Sequence, residues 1–429
     1  MNKPSKFTLA FSVSFIILSS CKVTKPYQTP AVQYNDSFRG GATGDTTTMA
    51  ILRWREVFTD TILQGLIEKG ISQNLDLQMA YSRIRQAQSY YKQSRAAFLP
   101  AIDANAGASR TRLSKAQGFG VVSNFTEYQL GISAAWEADI WGRLSSTKRA
   151  SRASLLQTEA GARAIQSEIV SNIASLYYTL LSLDQQLIIT RQTVRNWDTT
   201  VTTMRSLLEG ARVTEAAVVQ SLAQRYAAEV TIPDLIQRIQ QAENALSILL
   251  GMPPADVTRS RLADQSTLPI LNTGIPLQLL GNRPDVQEAE QAYRYAFELT
   301  NVARTAFYPS LTISGSTGFS NLSLSGFFGA SAFGYSITGG LLQPILHQRR
   351  NKTNLEVAKE QQRTALLGFQ NTLLTAGQEV SDALSLHVAA RNKMLVRSNE
   401  IDALQKSVDY TQKLLQNGFA NYKIGRAHV

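Results

Sequence analysis

The sequence predicts a mainly α-helical protein with a membrane β-barrel part. Long antiparallel coiled-coil helices are joined to four β-strands per protomer, which contribute to a twelve-stranded barrel in a trimer. Three observations carry this reading. A 27-residue stretch recurs at an offset of 209 residues. Each copy is followed by runs of about ten residues that alternate apolar and polar, the length of a tilted membrane strand. A 4-3-4-3 apolar stripe then marks the next helix as a coiled coil.

The repeat comes first. Residues 74–100 align with 283–309 without a gap, with nine identities: Asp76, Gln78, Ala80, Arg85, Ala87, Arg95, Ala97, Phe98 and Pro100 meet Asp285, Gln287, Ala289, Arg294, Ala296, Arg304, Ala306, Phe307 and Pro309. Average composition gives about one or two by chance. Each copy ends at a proline, Pro100 or Pro309, which stops helix hydrogen bonding at a helix-to-strand corner.

The strands follow. In β-period alternation, Ile102, Ala104, Ala106 and Ala108 oppose Asp103, Asn105, Gly107 and Ser109, and Tyr128, Leu130, Ile132, Ala134 and Trp136 oppose Gln129, Gly131 and Ser133. In the second copy Leu311, Ile313 and Phe319 oppose Ser310, Thr312, Ser314, Ser316 and Ser320. Phe333, Tyr335, Ile337 and Leu341 oppose Gly334, Ser336, Thr338 and Gly340. Four strands cannot close a barrel, and an open edge leaves backbone groups unpaired in lipid. Two protomers give eight strands and a filled interior, and three give twelve and an open pore.

The helices agree. Ile169, Ile173, Leu176, Leu180, Leu183, Leu187, Val194, Trp197, Val201, Met204 and Leu208 keep heptad spacing, interrupted at Thr190, and residues 143–232 contain no proline. Gly210 closes this helix and Thr214 is placed to cap the next. Pro233 breaks the helix after that. Gly418 in QNGFANY matches Gly210.

The N-terminus carries an address. Lys3 and Lys6 precede an apolar run from Phe7 to Leu18, too short for a stable bilayer span, and Leu18-Ser19-Ser20-Cys21 reads as a lipoprotein cleavage box. Cys21 is the one cysteine of the 429 residues, so lipidation at the mature N-terminus and an absence of disulfides are expected. Lys22, rather than Asp, follows the cysteine, which leans towards sorting to the outer membrane. The basic surplus, 43 − 32 = 11, is dispersed without an aromatic-interleaved basic cluster, which argues against nucleic acid.

Together WREVFTDTILQGLIEKGISQNLDL (54–77), WEADIWGR (136–143), GIPLQLLGNRPDV (274–286), AFYPSL (306–311) and the 351–384 segment resemble the TolC-type outer-membrane factors, in the lipoprotein branch called NodT. The family's Trp, Asp, aromatic, Gly and Arg pattern is filled by Trp136, Asp139, Trp141, Gly142 and Arg143, and its Pro, Arg, Pro, Asp pattern by Pro276, Arg283, Pro284 and Asp285. The resemblance implies a homotrimeric exit duct in the bacterial outer membrane, continuous with a helical periplasmic tunnel. It would be served by a periplasmic adaptor protein and, through it, an inner-membrane pump. It places the adaptor contact at the helical tips, here Gly210, Val213, Thr214, Gly418 and Phe419. One departure is the turn Leu346-His347-Gln348-Arg349, which lacks the family's glycine.

No catalytic or metal-ligating motif emerges, so neither an enzyme nor a cofactor is expected. His347, His387 and His428 have no ligand spacing. The alternative reading is a non-conducting coiled-coil lipoprotein. The expected organisation is a signal peptide at 1–20, an extended linker at 21–50, a first repeat at 51–251, an inter-repeat linker at 252–282 and an incomplete second repeat at 283–423. The final stretch 424–429 reads like a translated sequencing adapter. Only 429 − 418 = 11 residues follow Gly418, whereas 251 − 210 = 41 separate Gly210 from Gly251, so a returning helix is expected beyond the given sequence.

Overall fold

The computed structural model describes residues 23–30, 52–114, 116, 123–266 and 280–416. The expected features at 1–20, Cys21, Pro276, Gly418, Phe419 and 424–429 lie outside the described residues. Along the chain run α1 (Trp54–Val57), α2 (Thr61–Gln73), α3 (Leu75–Ala96), β1 (Ala101–Leu113), β2 (Ser123–Ala138) and α4 (Arg143–Glu209). Then come α5 (Glu215–Glu229), α6 (Thr231–Leu249), α7 (Pro284–Thr305), β3 (Ser310–Asn321), β4 (Phe333–Leu342) and α8 (Arg350–Gln416).

The duplication is visible in the element boundaries. α3 and α7 are both 22 residues long and start 284 − 75 = 209 positions apart, and β1 and β3 keep the same offset, 310 − 101 = 209. α4 and α8 are both 67 residues long. A helix of that length measures about 100 Å along its axis. Among the described residues no helix is long and apolar enough to cross a membrane.

The chain divides into two compact units. The first holds the sheet. Its order is β1-β2-β3-β4, antiparallel throughout, and the two copies meet where β2 pairs with β3. β1 and β4 are therefore edges. Every residue of β4 is exposed, as is β1 from Ala101 to Arg110, on both faces. An uncovered sheet with two open edges is unstable in water and forbidden in lipid unless another chain pairs with it.

Beside the sheet, α7 is tied to α4 by a polar chain. Arg149 donates to the fully buried Glu298 at 2.7 Å, and Glu298 accepts in turn from Asn301 Nδ2 at 3.1 Å. Thr300 reaches the Ala358 carbonyl of α8.

The second unit is a helical core. Leu63 and Ile67 of α2, Leu77 of α3, Ile173, Tyr177 and Leu180 of α4, and Leu246 of α6 are buried together. The heptad stripe of α4 faces inward, with Ile169, Ile173, Leu180, Leu183, Val194, Val201 and Met204 all buried. α5 lies along the later part of this helix, where Arg225 bonds Asp198 at 2.5 Å. The matching residues of α8, Ile401 and Val408 (401 − 207 = 194, 408 − 207 = 201), are exposed. Pro233 sits in the first turn of α6, where its missing N–H costs least, so the break falls three residues earlier at Val230.

The inter-repeat linker is anchored by polar bonds that periodicity does not reveal. Asp60 Oδ1 caps α2 at Ile62 N (2.8 Å), while its Oδ2 accepts from Tyr177 OH (2.7 Å), Gln265 Nε2 (2.9 Å) and the Ser260 hydroxyl. Burial works against the charged carboxylate, but the bonds from Ser260, Tyr177, Gln265 and the Ile62 N–H together outweigh it and hold Asp60 at about 2. Arg259 pairs with Asp184 at 2.5 Å and with Glu243 at 2.5 Å. The bond to Asp184 first, then that to Glu243, raises the guanidinium above its ordinary value against the cost of burial.

Candidate transport channel

Register decides which strand residues share a face, because directly paired residues of antiparallel strands point the same way. Ile102 pairs with Ala134, Ala106 with Leu130 and Ala108 with Tyr128. Leu130 pairs with Phe319, Trp136 with Ile313, Phe319 with Phe333 and Gly315 with Ile337. One face of all four strands is thus apolar and aromatic. Of its mid-sheet hydroxyls, Thr317 donates to the Gly334 carbonyl of the next strand at 3.4 Å and stands directly opposite Tyr335. From Trp136 to Tyr128 is 136 − 128 = 8 residues, about 27 Å along the strand and about 20 Å of height at membrane tilt.

The other face is small and hydrophilic. Asp103 pairs with Ser133, Ser133 with Ser316 and Ser316 with Ser336, whose hydroxyls meet at 2.9 Å. Glu127 accepts from Gln129 at 2.9 Å and from Ser320 at 2.8 Å. Gly131 and Gly318 oppose each other on this face, and a Cβ on Gly318 would collide with the Leu130 carbonyl. Asp103, Glu127 and Glu137 are the charged residues of this face among the described strands, and all are acidic.

The corners are built around carbonyls that a helix end leaves unpaired. Pro100 and Pro309 each stand immediately before the first strand residue. Trp136 Nε1 donates to the Phe98 carbonyl at 2.9 Å, and Trp141 Nε1 to the Pro309 carbonyl at 2.7 Å. Gln343 and Asn351 do the same for Phe307 and Ala306. Asp139 takes the Leu144 and Ser145 amides at 2.8 Å each, capping α4, while Arg143 pairs with Glu137. Gly142 has φ +78°, a left-handed turn into α4. Each member of the Trp136, Asp139, Trp141, Gly142, Arg143 pattern therefore has a structural task. At the second copy's turn, Gln348 and Arg349 take φ values of +48° and +63°, and Arg350 N bonds the His347 carbonyl at 2.8 Å. The turn that lacks a glycine adopts a type I′ geometry with two L-residues in its left-handed positions.

Residues 23–30 lie in an extended path along α7. Asn301 clamps one peptide unit, accepting from Lys25 N at 3.0 Å and donating to Lys25 O at 2.9 Å. Tyr27 packs edge-on to Phe297 and donates to Glu290, which also accepts from Thr29. Thr24 lies against Gly142 at the sheet corner. Sequence reading missed this clamp, since a lone Asn in a helix carries no signal of a partner 276 positions away.

At the far end of α4 the helix closes on Ala211, with φ +54°, not on Gly210. Arg212 N bonds Leu207 O and Ala211 N bonds Leu208 O, each at 2.9 Å, the Schellman pattern. Gly210 is one position earlier, its N–H still held by Ser206 O. Thr214 occupies the cap position of α5 with extended backbone, but its side chain makes no capping bond. Val213 is half-buried beside it. Counted from the start of each long helix, Gly418 falls in register with Ala211 (418 − 350 = 68, 211 − 143 = 68).

A duplicated chain whose long helices turn through Trp- and Pro-bearing corners into a two-faced membrane sheet defines a channel protein of the outer membrane. The family model described as outer membrane efflux protein (OEP) matches residues 66–252 and 275–423, and the chain belongs to that family. It is 28% identical over 425 residues to the cation efflux system protein CusC of Escherichia coli K12, covering 96% of this chain and 90% of that one. It is 28% identical to the toluene efflux pump outer membrane protein TtgC of Pseudomonas putida, covering 95% and 85%. The probable outer membrane lipoprotein SilC of Salmonella typhimurium is 25% identical, covering 96% and 90%. Among solved structures, that of CusC superposes with a TM-score of 0.84 at 26% identity, covering 94% of this chain and 92% of that one. The channel OprN shares the fold at a TM-score of 0.87 and 22% identity, covering 94% and 92%. The protein is an outer-membrane exit duct for efflux.

Proposed function

We propose that three copies join β4 of one protomer to β1 of the next, giving 3 × 4 = 12 strands around a lumen lined by the Asp103–Ser133–Ser316–Ser336 face. The observation that supports this most is the open four-stranded sheet, exposed on both faces and unpaired at both edges. The long helices of the three copies continue the lumen as a tunnel across the periplasm. Its tips, at Gly210, Val213, Thr214, Gly418 and Phe419, receive the helical hairpin of an adaptor protein that couples the duct to an inner-membrane pump. The duct supplies a path and no energy.

Cys21 carries the lipid anchor. Thr24, three residues on, rests at the Gly142 corner, so about 10 Å of chain separates Cys21 from the membrane end of the sheet. Acidic side chains and hydroxyls, with no Lys or Arg on the lumen face among the described strand residues, favour cations and neutral polar solutes. Purified trimers in a planar bilayer should give stable single-channel currents with cations more permeant than anions. Silent bilayers would return the protein to the non-conducting class.

A further inference from the structure

The lipid-facing side of the sheet carries charge at one place. Its residues on β1 are Ile102, Ala104, Ala106, Ala108, Arg110 and Arg112, since Arg110 pairs with Thr126 and Arg112 with Asn124 in step with Ala108 and Tyr128. Among the described strand residues, no other Lys, Arg, Asp or Glu falls on this face of β2, β3 or β4. The carboxylates Asp103, Glu127 and Glu137 lie on the opposite face. Both arginines are exposed, and among the described residues neither forms an ion pair.

Their height is informative. The corners at Pro100 and Pro309 join the sheet to the long helices, so the Leu113 end of β1 is the end remote from them. Along β1 the apolar face runs to Ala108, level with Tyr128, and across the sheet one side-chain step nearer the corners Leu130 pairs with Phe319, which packs with Phe328 and Phe333. Aromatic residues at such a position mark the membrane boundary. Arg110 begins one side-chain step beyond, and Arg112 follows about 7 Å further. Two unpaired guanidiniums pointing outward at headgroup depth, on a face otherwise built for acyl chains, match a ligand with chains below and phosphate above.

We propose that Arg110 and Arg112 bind the phosphate groups of a phosphorylated glycolipid of the outer leaflet, whose acyl chains lie on the Ala104–Ala106–Ala108 and Leu130–Ile132 surface. Three copies give three such sites around the barrel. The proposal rests on the duct reading above, which sets the far end of the sheet at the cell surface.

The full-length protein is reconstituted in phosphatidylcholine vesicles with or without 10 mol% diphosphoryl lipid A, and its thermal midpoint is measured. The lipid should raise the midpoint of the native chain. Arg110→Gln/Arg112→Gln should lose most of that shift while keeping its midpoint in pure phosphatidylcholine, and Arg110→Lys/Arg112→Lys should retain part of it. Inorganic phosphate should give no shift. Equal shifts in native and Gln variants, no shift in the native chain, or an equal effect of free phosphate would each overturn the proposal. Should the Gln variant fail to insert, glycolipid phosphorus co-purifying with native protein in mild detergent decides: retention supports the site and its absence overturns it. Failure of the duct reading would show separately, as a native chain with no cooperative transition in phosphatidylcholine alone.

Discussion

Arg349 stands where Gly142 stands. Each is the left-handed residue immediately before a 67-residue helix, with φ +63° and φ +78°. An L-residue held there costs about 1–2 kcal/mol relative to the right-handed region, and glycine avoids most of it. Arg349→Gly should therefore stabilise the chain by about 1 kcal/mol, and Gly142→Ala should destabilise it by a similar amount, aggravated by Thr24 packed at 3.3 Å from the new methyl. Denaturant midpoints of the two variants in the same detergent check the opposite signs.

The face assignment predicts an asymmetry between neighbours. Ile132 lies on the apolar face and Ser133 on the hydroxyl face. Arginine at mid-bilayer on the lipid side costs about 2–4 kcal/mol per copy, and far less in a wet lumen. Ile132→Arg should impair assembly while Ser133→Arg assembles. Equal assembly yields on a heat-modifiability gel would place the register one residue out.

Much of this architecture is legible in one sequence. A membrane sheet has no second layer to blur its alternation, so parity alone separated Ile132 from Ser133. The 209-residue repeat carried the boundaries of α3 onto those of α7. The heptad stripe located the buried side of α4. What stayed hidden was long-range and polar. Ser260 bonds Asp60 from 200 positions away, and Asn301 grips Lys25 from 276. Single side-chain hydrogen bonds have no period. At the tip Gly210 stands directly after the last residue of α4, as its sequence suggests, but which residue turns left-handed was not legible, because glycine usually takes that place and here Ala211 does.

The strap clamp gives a third prediction. Asn301→Leu removes both bonds to the Lys25 peptide and one to the buried Glu298. Leaving such groups unpaired costs about 1–3 kcal/mol. Chymotrypsin should cut after Tyr27 much faster in the variant than in the native protein, with the helical unit still resistant. Unchanged cleavage would mean that Tyr27 alone holds the strap.

Acid should loosen the inter-repeat linker. Asp60 sits at about 2 in the fold against an ordinary 3.8. A lowered folded value gives stability that is present above about pH 4 and lost as pH falls towards 2, because the unfolded chain takes up the proton first. After allowance for partial solvent exposure the effect is about 1 kcal/mol. Asp60→Asn should flatten this part of the stability profile between pH 4 and pH 2, measured by urea midpoints, whereas a native-like slope would locate the acid sensitivity elsewhere.

Closure of the barrel by three copies is tested most directly by disulfides between the two edge strands. Gly107→Cys on β1 is combined in turn with Gly334→Cys, Ser336→Cys or Thr338→Cys on β4, all on the lumen face, and outer membranes are oxidised and run without reductant. Paired edges bring Cα atoms within the 4.4–6.8 Å that a disulfide spans. At least one combination should give a covalent species of three chains and nothing larger, reverting to single chains on reduction. A cross-link confined to single chains, or an open-ended ladder beyond three, would contradict the trimeric duct.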